Sequence, residues 1–504
     1  MRRFVPFLGA LALAVPAAAA AATIHGTTGP DSIVGTAAAD TIAAGAGNDL
    51  IQAAFGGVDR VDCGAGQDVV SADQSDRVAA DCEVVSRRLS VDLSRNPRSQ
   101  HETAVEPDSF SWGSTVVAAY QLGRFESGAA SNIGVSVSRN GGRTWQRTTL
   151  PGVTLESQPP GPELSASDPT VAYDAVHGVW LVGTLTLEAT SSHVYVARST
   201  DGLHWSAPVV AASGPVLDKD WIACDNNAAS PYRGRCYLEL TDDDRNTTIS
   251  ESSDDGGNTW SAPVTATSLL VGTQPVILPN GTLVVVAGDY TDEAALHGSI
   301  AAVRSTDGGA TFTRATVGQV TAAANGVMRS AALPSVDVDS NGRIYAVWHD
   351  CRFRPVCAEN DLVLSTSTDG STWTAPTRIP LAPVSSTFDA FIPGLAADPA
   401  HPGRLGLVYA FFTPGSCARG ACTLEMGFTT SPDGGTSWTA PQRLDAQPMQ
   451  MTWLAKAEGG RMVGDYFSTS FAGDRVVPVF ALAASPLHGR FREAIFAASL
   501  PNAG

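Results

Sequence analysis

Six copies of one short pattern constrain this chain more than any other feature. They read SRNGGRTW (Ser138 to Trp145), STDGLHW (Ser199 to Trp205), SDDGGNTW (Ser253 to Trp260), STDGGATF (Ser305 to Phe312), STDGSTW (Ser367 to Trp373) and SPDGGTSW (Ser431 to Trp438), about 50 to 65 residues apart. Apolar alternating segments flank them, as in IAAVR before and TFTRATV after the fourth, so each copy is predicted to turn a β-hairpin. In such a turn the Asp accepts backbone N–H bonds, Gly supplies positive φ, and the aromatic re-enters the sheet to pack between layers. One or two carboxylates per copy are too few for an EF-hand, and no helix follows to cradle a phosphate.

Two further β-rich segments precede each copy, for example DPTVAYD with GVWLVGTL and LPSVDVDSNG with GRIYAVWHD. With the hairpin they give four strands per repeat, the content of a propeller blade. The six copies resemble the Asp-box, or BNR, motif Ser-x-Asp-x-Gly-x-Thr-Trp of the sialidase-like propellers, over about 400 residues from near residue 95 to the end. The expected fold is all-β, a propeller of six or seven four-stranded blades. Box counting gives six. Strand counting favours seven, because MVGDYFSTSFAGDRVVPVFALA and FREAIFAAS supply three more strands and RRLSVDLS (Arg87 to Ser94) could supply the missing outer one.

Ahead of these repeats runs a shorter period of about nine: GTTGPDSIV, GTAAADTIA, AGAGNDLIQ, a slipped AAFGGVDRV, then DCGAGQDVV. This resembles the RTX nonapeptide Gly-Gly-x-Gly-x-Asp-x-U-x, in which an apolar U residue packs inside a parallel β-roll and turn carboxylates bind calcium. The resemblance places Asp31, Asp40, Asp49 and Asp68 at the metal position, and Ile33, Ile42, Ile51 and Val70 at or near the packed one. Calcium takes hard oxygen ligands, which stacked Asp turns would provide. The Gly-Gly pair is mostly degraded to Gly-Thr or Ala-Gly, so a roll closed by disulfide and holding no metal is the alternative. The expected division is 1–22 as signal peptide, 23–85 as RTX-like repeat segment and 86–504 as propeller.

The signal peptide is read from MRRFVPFLGALALAVPAAAAAA, with Arg2 and Arg3, an apolar run and a small-residue cleavage site before Thr23. Loss of both arginines takes the formal charge from -18 to -20, which argues against a nucleic-acid partner. No other stretch is apolar enough to span a bilayer, so the expected product is secreted and monomeric. Eight cysteines fall into near pairs, Cys63 with Cys82, Cys224 with Cys236, Cys351 with Cys357 and Cys417 with Cys422. In an oxidising compartment four local disulfides are the simplest reading, since no pair has zinc-ligand spacing.

Chemistry in such a fold is expected where inner strands start and second strands end, at one mouth of the central channel. The sialidase resemblance implies a Tyr nucleophile, an acid and an Arg triad gripping a carboxylate. DYFS around Tyr466 is similar to the stretch carrying that nucleophile; Asp168 or Asp218 would be the acid, and Arg329 and Arg352 two of the three guanidinium groups. Asp220, Trp221 and Asp350 are placed as further substrate contacts. The first-blade Phe/Tyr-Arg-Ile-Pro motif has no counterpart, the nearest stretch being HETAVEP. Two functions therefore stand open. One is a glycoside hydrolase of the exo-sialidase kind acting on extracellular glycans or glycoproteins. The other is a non-catalytic carbohydrate- or protein-binding module, in which Trp221 and Trp453 would stack on a ligand. No cofactor is expected for the propeller.

Overall fold

The computed structural model describes residues 20–188, 191–412 and 422–502. Strands make up nearly all of the regular structure, and the only helical turns among these residues are two short 3-10 segments, Pro355–Cys357 and Met451–Trp453. Six blades are self-contained antiparallel sheets in which four strands follow in chain order from the axis outward. Their inner strands are Ala104–Trp112, Ser167–Asp174, Leu217–Cys224, Val271–Ile277, Ser335–Val338 and Asp389–Ala397.

Every one of the six motif copies lies at the turn between the third and fourth strands of a blade, as the pattern predicts. In the fourth, Asp307 Oδ1 accepts the backbone N–H of Thr311 at 2.9 Å and of Ala310 at 3.2 Å, and Ser305 Oγ accepts that of Gly309 at 2.9 Å. Gly308 and Gly309 take φ of 72° and 88°, a region costly for a side chain. These bonds to the charged form hold the Asp307 carboxyl down to about 2. The turn aromatics do not face a ligand. Trp145, Trp205, Trp260, Phe312, Trp373 and Trp438 each pack against a different hydrophobic cluster of the propeller. We expect Asp307→Ala to lower stability by about 1 kcal/mol through the lost turn bonds. Urea unfolding measures the loss, and ligand affinity should stay at its wild-type value.

The seventh sector is built differently. Strand Ser468–Ala472 packs between the inner strands of the sixth and first blades and is bonded to both: Ser109 Oγ meets Ser468 Oγ at 2.9 Å, and Thr469 Oγ1 donates to the Gly394 carbonyl at 2.8 Å. Arg475–Ala483 and Glu493–Ala498 follow outward, and Glu493–Ala498 then pairs antiparallel with Val84–Arg88 from the N-terminal segment. The count is thus six independent blades plus one sector that is no sheet of its own. It belongs to an eight-stranded sheet shared with the segment before it. The outer strand lies a few residues earlier than RRLSVDLS suggests, because the parallel stacking of Val84 on Val69 sets its register.

That N-terminal segment is a parallel β-solenoid. One face stacks Thr23–His25, Thr41–Ala43, Arg60–Asp62 and Arg77–Val78; the other stacks Ser32–Val34, Leu50–Gln52, Val69–Ala72 and Val84–Arg88. Ile33, Ile42, Ile51, Val61 and Val70 fill its interior, as the repeat implies, and Cys63 is bonded to Cys82. The solenoid does not stand apart. Ala54, Val69, Val84 and Leu89 belong to the propeller's largest hydrophobic cluster, and Ser86 Oγ donates to the Leu444 carbonyl at 2.6 Å. Disulfides also join Cys224 to Cys236 and Cys351 to Cys357, whereas Cys417 lies outside the described residues. Residues 1–19, most of the expected signal peptide, lie outside them too. Among the described residues no helix is long and apolar enough to cross a membrane.

Candidate functional site

The inner strands share a device that positions their polar side chains. Five of them carry a register shift near the start: at Glu106, between Ser167 and Thr170, between Asp218 and Trp221, between Val271 and Gln274, and at Ile392. The extra residue takes positive φ, which is 53° at Glu106, 43° at Asp168, 51° at Lys219 and 49° at Ile392. A bulge of this kind re-aims a side chain out of the sheet's alternation. Pro follows Glu106, Asp168 and Ile392, and in a central strand a Pro is tolerated at a bulge.

Three of the bulged side chains enter one buried ionic cluster. Lys219 Nζ lies 3.3 Å from Asp168 Oδ1 and 3.0 Å from Asp465 Oδ2. Asp465 also receives both arms of Arg329, Nε at 2.8 Å and an Nη at 2.7 Å. Glu106 Oε2 accepts the side-chain amide of Gln121, whose Oε1 accepts Arg124 Nη1 at 2.9 Å. Burial opposes ionisation of Asp465, but Lys219 and Arg329 outweigh it and hold its carboxyl far below the ordinary range. Burial and the nearby Asp168 carboxylate push Glu106 and Asp218 up. The cluster therefore holds one strongly ionised carboxylate between two cations, beside acids that favour the protonated form.

The expected site residues are distributed around this cluster as follows. Tyr466 is 5% exposed, its hydroxyl lies 3.4 Å from the Pro169 carbonyl oxygen, Lys219 Nζ stands 5.5 Å from its ring centre, and Trp221 packs edge-on at 5.1 Å. Asp168 is buried and Asp218 half-buried next to Lys219. Asp220 is buried between the second and third blades, close to Gly183, and neither of its oxygens has a hydrogen-bonding partner among the described residues. Burial keeps its carboxyl well above the usual range. Arg329 and Arg352 are committed to different partners: Arg329 to Asp465, and Arg352 to Asp350 and the Gln319 carbonyl oxygen. Asp350 also accepts the Thr321 N–H, fastening the fifth blade to the fourth. Sequence reasoning leaves out Glu106, and it gives Lys219 no role. The signal that could have marked Glu106 is the Glu-Pro inside a core strand.

Beyond the cluster the channel widens into a cavity of about 750 Å³ bounded by all seven inner strands. Trp221 sits on its wall, and at its rim Trp112 and Phe110 are 44% and 36% exposed. Trp112 leans on Tyr173 with ring centres 5.2 Å apart, and Tyr173 on Trp180 at 4.7 Å. This rim is on the Asp-box side, where Gly141 N–H donates to the Ser114 carbonyl at 2.9 Å. The cavity's described lining holds four aspartates, Asp108, Asp337, Asp339 and Asp398, and no lysine, arginine or histidine. Burial raises Asp108 to about 7 and Asp337 to about 6.

In the solenoid the aspartates form two ladders. Asp49 Oδ1 accepts the Asp31 N–H and Asp68 Oδ1 the Asp49 N–H, both at 2.8 Å; Asp59 Oδ1 accepts the Asp40 N–H at 2.7 Å and Asp76 Oδ1 the Asp59 N–H at 2.9 Å. A calcium ion of the RTX kind needs carboxylate and carbonyl oxygens left over from such bonds. Three are present: Oδ2 of Asp49, Asp59 and Asp68 is buried without a partner among the described residues. An atom branching from Gly56 would lie 2.7 Å from the Thr36 carbonyl oxygen, 3.4 Å from Asp59 Oδ2 and 3.6 Å from the Ala53 carbonyl oxygen. The residues fit a cation at these turns. No three His, Cys, Asp or Glu side chains converge among the described residues, so the main chain would supply part of the shell.

The BNR repeat-like domain family matches residues 188–396, and the RTX calcium-binding nonapeptide repeat family matches residues 20–51. No curated protein matches the chain. Similar solved structures include a Dyadobacter fermentans protein of unknown function (18% identity, 68% of this chain and 98% of that one, TM-score 0.43) and a Hadza microbial sialidase (16%, 79% and 66%, 0.43). A Penicillium chrysogenum alpha-L-arabinanase is similar at 12% identity over 83% of this chain and 98% of its own, with a TM-score of 0.40. The family matches thus make residues 188–396 BNR repeat-like and residues 20–51 RTX-like, within a structure that sets six Asp boxes on six blades of a β-propeller preceded by a parallel β-solenoid.

Proposed function

We propose that this chain is an exported glycan-binding propeller that holds an uncharged sugar in its central cavity and does not turn over sialosides. The observation that carries this is the cavity itself, a concave space walled by Trp221, rimmed by Trp112 and lined with hydroxyl, amide and carboxyl groups but, among the described residues, no cationic side chain. Aromatic faces with a few convergent polar groups are what a sugar ring requires. Carboxyls focused in a low-dielectric channel disfavour an anionic ligand. A sialoside carries a carboxylate, and the cations that would grip it are occupied: Arg329 and Lys219 by Asp465, Arg352 by Asp350. The Tyr466 hydroxyl donates to the Pro169 carbonyl oxygen at 3.4 Å.

The three disulfides seen within the described residues support export to an oxidising compartment. Calcium bound in the solenoid would be held by Asp49, Asp59 and Asp68 with main-chain carbonyls, and would supply positive charge between stacked carboxylates.

The test is a glycan array followed by calorimetry on the purified protein. Neutral oligosaccharides should bind, and Trp112→Ala, at an exposed position, should weaken binding about tenfold, or roughly 1.4 kcal/mol. A fluorogenic sialoside should not be hydrolysed. Turnover abolished by Tyr466→Phe would reinstate the hydrolase, and selective capture of sialylated glycans would reject the uncharged ligand.

A further inference from the structure

The five nonapeptide turns are not chemically equivalent. Four residues before the ladder aspartate stands Thr27 for Asp31, Thr36 for Asp40, Gly45 for Asp49, Phe55 for Asp59 and Gly64 for Asp68. At the first turn Thr27 donates twice to Asp31 Oδ2, from its N–H at 2.6 Å and from its hydroxyl at 3.0 Å. At the second, Thr36 N–H donates to Asp40 Oδ2 at 2.5 Å and its hydroxyl to Asp40 Oδ1 at 2.9 Å, while Ala22 N–H takes Oδ1 as well. Both carboxylates are thereby supplied with donors from their own turn.

The later turns lack this. Gly45 and Gly64 hold φ of 108° and 88°, carry no hydroxyl, and leave Asp49 Oδ2 and Asp68 Oδ2 unpartnered among the described residues. Asp59, preceded by Phe55 and Gly56, is in the same state. These three aspartates are 0%, 1% and 0% exposed, so solvent at the surface does not serve them. A buried carboxylate oxygen with no donor is costly, and a cation is one way to satisfy it.

We propose that Thr27 and Thr36 do the work of a cation at the first two turns, so that calcium binding falls to the turns of Asp49, Asp59 and Asp68. Asp59 and Asp68 lie beyond the stretch that matches the RTX repeat, so the metal demand sits mostly outside the best-preserved part of the motif. The inference is independent of what the propeller binds.

The experiment titrates calcium chloride into the full-length, chelator-treated protein and reads ion stoichiometry by calorimetry and melting temperature by scanning calorimetry. Calcium should raise the melting temperature of the wild type by several degrees. Asp49→Asn, Asp59→Asn and Asp68→Asn together should remove at least nine-tenths of that rise, each Asn keeping the ladder acceptor. Thr27→Gly with Thr36→Gly should increase the number of ions bound, a gain that a merely weakened fold cannot produce. A wild type with neither calcium heat nor a shifted melting temperature would overturn the proposal, as would an unchanged stoichiometry in the double glycine variant.

Discussion

Replacing Asp465 with alanine is expected to cost about 3 to 5 kcal/mol of folding stability, several times the loss expected at Asp307. Among the described residues, Asp465 is the carboxylate that bonds both Lys219 and Arg329, and its own side chain is 3% exposed. Without it Arg329 loses both of its short bonds and Lys219, 10% exposed, keeps only the longer one to Asp168. A buried cation cannot recover its hydration, so the cost is that of the unpaired charge and not of the hydrogen bonds alone. Lys219 carries most of it, since Arg329 is 36% exposed and can turn to water. Asp465→Asn, which retains an acceptor, should lose less than the alanine variant. Denaturant unfolding of the three proteins decides the matter, and a loss below about 1 kcal/mol for alanine would mean the cluster is well hydrated.

Removing residues 20–94 is expected to prevent the propeller from folding at all. The cut takes Val69, Val84 and Leu89 out of the largest hydrophobic cluster and strips Glu493–Ala498 of its outer neighbour. Burial of three such side chains is worth roughly 4.5 to 9 kcal/mol at about 1.5 to 3 kcal/mol each, comparable to the whole stability of a typical domain. The truncated chain should be recovered aggregated or without a cooperative thermal transition. A soluble fragment melting within a few degrees of the intact protein would make the solenoid an appendage.

What is legible in the sequence is what is held by short-range bonds. The Asp boxes are closed by contacts within four residues, as between Ser305, Asp307 and Thr311, so their turn, their aromatic and their blade position can all be read. The solenoid rungs are legible for the same reason, one apolar residue per nine. The closing strand is recognisable as apolar and extended, but its partner is about 400 residues away, and no local pattern fixes that register. At the site, residue types are readable and pairings are not. Lys219 meets Asp168 across 51 residues and Asp465 across 246, and Arg329 reads as a substrate ligand although Asp465 already holds it. The bulges that aim Glu106, Asp168 and Lys219 break the two-residue alternation on which any inward or outward assignment depends.

The pairing of Val84–Arg88 with Glu493–Ala498 also sets a timetable. A ribosome adding about 5 to 20 residues per second needs roughly 20 to 80 s to reach the second strand after releasing the first. Throughout that interval one edge of the nascent solenoid is open, with its backbone amides and carbonyls free to pair with another chain. Arg87 and Arg88 sit on that edge, and charged side chains there discourage strand addition from outside. In the finished protein the guanidinium of Arg88 is held within the solenoid by Asp73 at 2.7 Å while its backbone pairs with Phe496, so a residue that guards the waiting edge becomes part of the seam once the ring has closed.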